Sequence, residues 1–132
     1  MVCMKVLFNE TKTIVCVFIS LLAGLYGLSQ TTIDLQSVSK HIGDSVKVCG
    51  KIYGGRYISG DEGSPTIINM GGLYPHAPLT LVVWGYSKRS FDGLPEIKYK
   101  DKNVCATGKI TSYKGRPAMI LYEEDQLQLS SN

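Results

Sequence analysis

The sequence predicts a small all-β domain, a five-stranded Greek-key barrel with short helical turns, over residues 30–132. Three observations lead there. Two stretches echo each other, D-S-V-K-V-C-G-K-I at 44–52 and K-N-V-C-A-T-G-K-I at 102–110. Both end in Gly-Lys-Ile and both alternate as strands do. Five strand-like segments are separated by turn residues. Fourteen glycines and five prolines among 132 residues suit a chain with many turns. That length leaves room for one domain.

Residues 1–29 stand apart. Lys5 and Lys12 precede an apolar run from Ile14 to Leu28, with the small residues Gly27 and Ser29 at its end. As a helix this run rises about 22 Å, short of a hydrocarbon core of roughly 30 Å. Basic start, apolar centre and small end define a secretory signal peptide, with cleavage expected after Ser29. An uncleaved membrane anchor is the alternative. The expectation is therefore an exported chain, periplasmic or extracellular, without a stable membrane anchor once residues 1–29 are removed. The full chain carries a net charge of +3, too small to mark a nucleic-acid partner by itself.

The remaining chain reads as follows. Leu35–Ile42 can form one or two helical turns, capped by Ser37, with Val38 and Ile42 on one face. In the first key strand, 44–52, Val46, Val48 and Ile52 share the core parity; Lys47, Cys49 and Lys51 share the other. Gly50 falls where a tight barrel must bend or bulge. Residues 58–65 form a polar loop. Thr66–Met70 is the second strand, and G-G-L-Y-P-H-A-P, 71–78, is a loop. Leu79–Trp84 is the strongest strand signal; its weak alternation implies cover on both faces. Residues 87–91 make a turn anchored by Phe91, and D-G-L-P breaks the chain. The second key strand places Val104, Ala106 and Ile110 toward the core, with Gly108 at the bend. Tyr113-Lys114-Gly115-Arg116 is a tight turn, Pro117 opens the last main strand, and Leu127 with Leu129 closes the domain.

Five main strands with one long irregular crossing between the third and fourth give the layout of the OB-fold. There the first and fourth strands pair antiparallel, so Cys49 and Cys105 lie on neighbours, both on the non-core parity. An even pair of cysteines in an exported chain is read first as a disulfide. Isolated thiols, or redox or metal chemistry, are the alternatives. A four-ligand zinc site would need two more ligands, and the histidines are His41 and His76 alone.

Two sets of residues carry a family resemblance. One is H-I-G-D-S-V-K-V-C-G-K-I with N-V-C-A-T-G-K-I-T-S-Y-K-G-R-P. The other runs from P-T-I-I-N-M-G through L-V-V-W-G to R-S-F. Together they resemble the small secreted bacterial OB-fold domains that stand alone or accompany extracellular nucleases. The resemblance covers about residues 37–129. It implies an accessory or binding domain of nucleic-acid-binding type; it does not imply cleavage.

OB barrels bind oligonucleotides or oligosaccharides on the second and third strands, between the first–second and fourth–fifth loops. A single-strand site needs cations and aromatic platforms. The residues available are Lys51, Arg56 and Tyr57 near the first loop, Trp84 and Tyr86 after the third strand, and Lys109, Tyr113, Lys114 and Arg116 near the last. Trp84 and Tyr74 read more simply as structural residues. Glu123-Glu124-Asp125 would repel a phosphate backbone on the same face.

No H-E-x-x-H, nucleophile elbow or phosphate-binding Gly-rich loop occurs. His41, just before a strand, reads as a satisfied surface histidine, His76 has no evident nucleophile or acid partner, and Asp61-Glu62 lacks calcium-site spacing. No catalytic residue, metal or cofactor is expected. The leading expectation is an exported binding module for single-stranded nucleic acid or another extended polymer. The alternative is a structural or protein-interaction domain whose partner is an envelope protein.

Overall fold

The computed structural model describes residues 30–131. The signal-peptide reading of residues 1–29 lies outside the described residues. Seven strands form: β1 (Thr32–Ile33), β2 (Ser45–Tyr57), β3 (Thr66–Met70), β4 (Leu79–Val83), β5 (Asn103–Tyr113), β6 (Arg116–Ile120) and β7 (Leu127–Leu129). They build one mixed sheet in the order β1-β2-β3-β4-β6-β5-β7, and β2 pairs with β5 as well. The five-stranded barrel read from the sequence is thereby corrected. The architecture is a seven-stranded mixed sheet with outer strands β1 and β7, not a barrel of five. Both outer strands are too short to show alternation. The lead-in before Leu35 becomes β1, parallel to β2. The closing segment becomes β7, antiparallel to β5.

The two key strands do pair. Residues 45–51 of β2 run antiparallel to residues 103–109 of β5. From Ile52 onward β2 pairs with β3, with a register shift between Ile52 and Gly54. The parity assignment holds, since Val46, Val48, Ile52, Val104, Ala106 and Ile110 are all buried. The reading of Gly50 and Gly108 as bulge points is revised. A Cβ on Gly50 would lie 2.8 Å from Leu35 and 3.0 Å from Met70, and one on Gly108 would lie 3.0 Å from Met119. Both glycines make room for neighbouring side chains, while the irregularity falls one turn of pleat later.

Cys49 and Cys105 are directly opposed in the β2–β5 ladder and joined by a disulfide. Hydrogen bonds from Ile52 to Lys102 and from Ile110 to Asp44 fix the phase of that ladder. Antiparallel pairs alternate between bonded and non-bonded types, which makes Cys49–Cys105 a non-bonded pair, the type with the closer side chains.

Short helical pieces cap the sheet. Leu35–Lys40 is 3-10 helix, and Asp34 rather than Ser37 caps it, its carboxylate accepting from the Gln36 amide. With three residues per turn, Val38 and Ile42 do not share a face. Val38 is buried and Ile42 is half exposed. Gly85–Ser90 is a second 3-10 piece, and Phe91 beyond it is buried as expected. α1 (Pro95–Lys98) is one turn with Pro95 at its start, where a missing N–H costs nothing. Among the described residues no helix is long and apolar enough to cross a membrane.

The main core lies on one face of the strands and includes Ile68, Met70, Leu81, Met119 and Leu121. Every residue of β4 is buried. A second, smaller cluster covers its other face: Ile67, Val82 and Ala118, with Ile58, Trp84 and Tyr113 packed against them. That second face carries the groove.

Candidate ligand-binding groove

A groove of about 460 Å³ crosses the outer face of β2, β3 and β4. Its floor is a row of residues in register across three strands: Gly54, Asn69 and Thr80. Gly54 adds no side chain, so the floor stays open there. Gly55 beside it cannot carry one, since a Cβ would lie 2.4 Å from the Ile67 carbonyl oxygen. Ile58 and Ile67 supply apolar lining.

The walls come from two loops. One is the β5–β6 hairpin, with Tyr113 opposite Arg116. Its two loop residues, Lys114 and Gly115, have φ of 49° and 77°. Positive φ at both positions defines the type I′ turn that matches strand twist. The other wall is the 71–78 loop, which brings Leu73 and Tyr74 to the rim, both about two-thirds exposed; its Tyr74–Pro75 peptide is cis. Arg116 ties the walls together. Its guanidinium lies 4.8 Å from the centre of the Tyr74 ring, and Nη1 donates to the Pro75 carbonyl at 2.7 Å. Lys114 lies 5.4 Å from the Tyr113 ring centre and 3.6 Å from the Asp61 carboxylate. Both ends of that ion pair are exposed, so it contributes little stability.

Of the residues singled out in the sequence, Arg56, Tyr113, Lys114 and Arg116 line the groove. Trp84 does not line it. Its ring meets Tyr113 edge to face, centroids 5.8 Å apart, and the chain at Gly63 packs against it so closely that a Cβ would sit 2.7 Å away. Trp84 thus buttresses a wall. Tyr57 follows Arg56 and points to the opposite side of β2, where Lys88 covers its ring at 3.5 Å. Tyr86 is exposed outside the groove. Lys51 lies over Tyr53 on the segment paired with β5, and Lys109 is opposite Ser45; neither lines the groove. Sequence reasoning passed over Asn69 and Thr80 and read Tyr74 as structural. A polar pair set in strands that are otherwise apolar was the available signal.

The acidic 123–125 segment is engaged elsewhere. Glu124 accepts from Lys98, from the Tyr99 hydroxyl at 2.9 Å and from the Asp92 amide at 2.9 Å. These donors, Lys98 first, pull its carboxyl from the ordinary 4.5 down to about 2. Glu124 in turn raises Lys98, while burial raises Tyr99. Among the described residues no group of three or more His, Cys, Asp or Glu is placed to hold a metal ion.

No family model matches the chain, and no curated protein matches it. Solved structures do. The chain superposes on the crystal structure of yeast Stn1 and Ten1 with a TM-score of 0.56 at 12% identity, over 81% of this chain. It spans 65% of the matched chain. That likeness, to an OB-fold protein, is partial and bears on the fold alone. A putative aspartyl-tRNA synthetase from Leishmania major Friedlin matches at a TM-score of 0.46 and 8% identity, over 81% of this chain and 22% of the other.

Proposed function

We propose that this chain is a binding module whose groove takes single-stranded nucleic acid. The observation that carries the reading is the convergence of Arg56, Lys114 and Arg116 with Tyr74 and Tyr113 around one groove. Cations that follow a phosphate backbone, alternating with rings on which bases stack, are what sequence-tolerant single-strand binding requires. The Cys49–Cys105 disulfide supports export, because such bonds persist in oxidising compartments. The basic-then-apolar pattern of residues 1–29 points the same way.

Fluorescence anisotropy of a labelled single-stranded oligonucleotide at rising salt tests this. Three cations at the groove set a slope of log Kobs against log salt of roughly −2. Absence of binding at low salt, or binding with no salt dependence, would overturn the reading and return the chain to the class of structural or protein-interaction domains.

A further inference from the structure

Three side-chain atoms among the described residues are buried without a hydrogen-bond partner: Thr66 Oγ1, Asn69 Oδ1 and Glu96 Oε2. Only Asn69 belongs to the groove. It sits mid-floor, between Gly54 on β2 and Thr80 on β4. An acceptor buried without a donor is destabilising, and an apolar residue of the same size would avoid that cost. Yet the neighbours that share its face, Ile67 and Val82, are apolar. Asn69 is therefore placed against the interest of the fold, as binding residues often are.

We infer that Asn69 reads the ligand: its side-chain amide turns so that Oδ1, covered and unpartnered in the free protein, accepts a hydrogen bond from an N–H on the edge of an unstacked base lodged in the groove. This rests on the nucleic-acid reading and adds the group that recognises the base itself. The site has the parts for it. Tyr74 and Tyr113 offer ring surfaces on the two walls, Arg116 and Lys114 stand at the rim for phosphate, and the floor between them is open at Gly54. An Asn side chain presents an acceptor and a donor side by side, which matches the paired donor and acceptor on a base edge. A sugar–phosphate backbone alone has no N–H to offer.

The test compares an oligonucleotide with a strand of equal length and charge whose bases are replaced by flat apolar analogues that stack but carry no N–H, for the wild-type chain and for Asn69→Leu. The wild type is expected to prefer the natural-base strand by about tenfold, the effect of one good base contact. Asn69→Leu is expected to lose most of that preference, to bind the analogue strand as the wild type does with the same salt slope, and to melt at or above the wild-type temperature. A variant that melts lower, or keeps the full preference, would show Asn69 to be structural and overturn the inference. Failure of the wild type to bind either strand overturns the nucleic-acid reading itself. Equal binding of both strands by the wild type leaves that reading standing and removes the base-reading role.

Discussion

Arg116 donates to the Pro75 carbonyl at 2.7 Å while its guanidinium packs 4.8 Å from the centre of the Tyr74 ring. One side chain from the β5–β6 hairpin thus sets the position of the opposite wall. The planar fork of Arg suits both contacts at once, and Lys would keep only the charge. Arg116→Lys is expected to weaken oligonucleotide binding several-fold with the salt slope unchanged. Arg116→Ala should weaken it by about tenfold and make the slope shallower by about 0.7. Anisotropy titrations at several salt concentrations separate the two effects.

The Cys49–Cys105 bond closes a segment with a sequence separation of 56. In the chain-entropy picture such a loop stabilises by about 4 kcal/mol. The double substitution Cys49→Ser, Cys105→Ser is expected to lower the denaturant midpoint accordingly, with the m-value raised if the unfolded chain expands. A midpoint equal to that of the oxidised wild type would show that the ladder holds without its covalent tie.

Glu124 joins α1 to the segment before β7 through Lys98 and Tyr99. Its folded pKa of about 2 lies below its ordinary 4.5. A depressed carboxylate pKa means the unfolded chain binds its proton first as pH falls. The stabilisation is complete above about pH 5 and declines as pH drops toward 2. Lys98 and Tyr99 are raised, so their contributions hold below their unfolded values and fade as pH rises through the folded ones. Glu124→Gln should flatten the acid limb of a plot of stability against pH. An acid limb identical to wild type would exclude Glu124 as its source.

At Gly55 on β2, an added Cβ would meet the Ile67 carbonyl oxygen at 2.4 Å and the Glu96 Cβ at 3.0 Å. Backbone cannot yield as a flexible side chain does. Gly55→Ala is expected to destabilise by about 2 kcal/mol, in the range of overpacked interiors. Gly54→Ala, with open space around the added methyl but a φ of 146°, should instead intrude on the groove as well as straining the backbone. Thermal melts of both variants, set beside their oligonucleotide affinities, check the contrast.

Much of this was legible in the sequence, and the reason is alternation. Val46, Val48 and Ile52 with Val104, Ala106 and Ile110 mark the core face and put Cys49 and Cys105 on the other, while the pairing of their two strands follows from the expected Greek-key layout. The Tyr113–Arg116 turn was legible because Lys-Gly supplies the positive φ that the hairpin demands. The outer strands β1 and β7 were not, since two and three residues carry no period. The groove floor was not legible either. Asn69 and Thr80 meet only through the β3–β4 register, which no local pattern encodes. Tyr74 gained its place from Arg116, 42 positions away in sequence.

The central claim is that the groove across β2, β3 and β4 binds single-stranded nucleic acid. Mapping backbone amide chemical shifts on the 15N-labelled, disulfide-bonded domain during titration with a single-stranded oligonucleotide tests it most directly. Saturable shifts should concentrate at Gly54, Arg56, Asn69, Thr80, Tyr113 and Arg116, and rising salt should reverse them. Shifts confined to the exposed cations Lys51 and Lys109, or none at all at low salt, would contradict it.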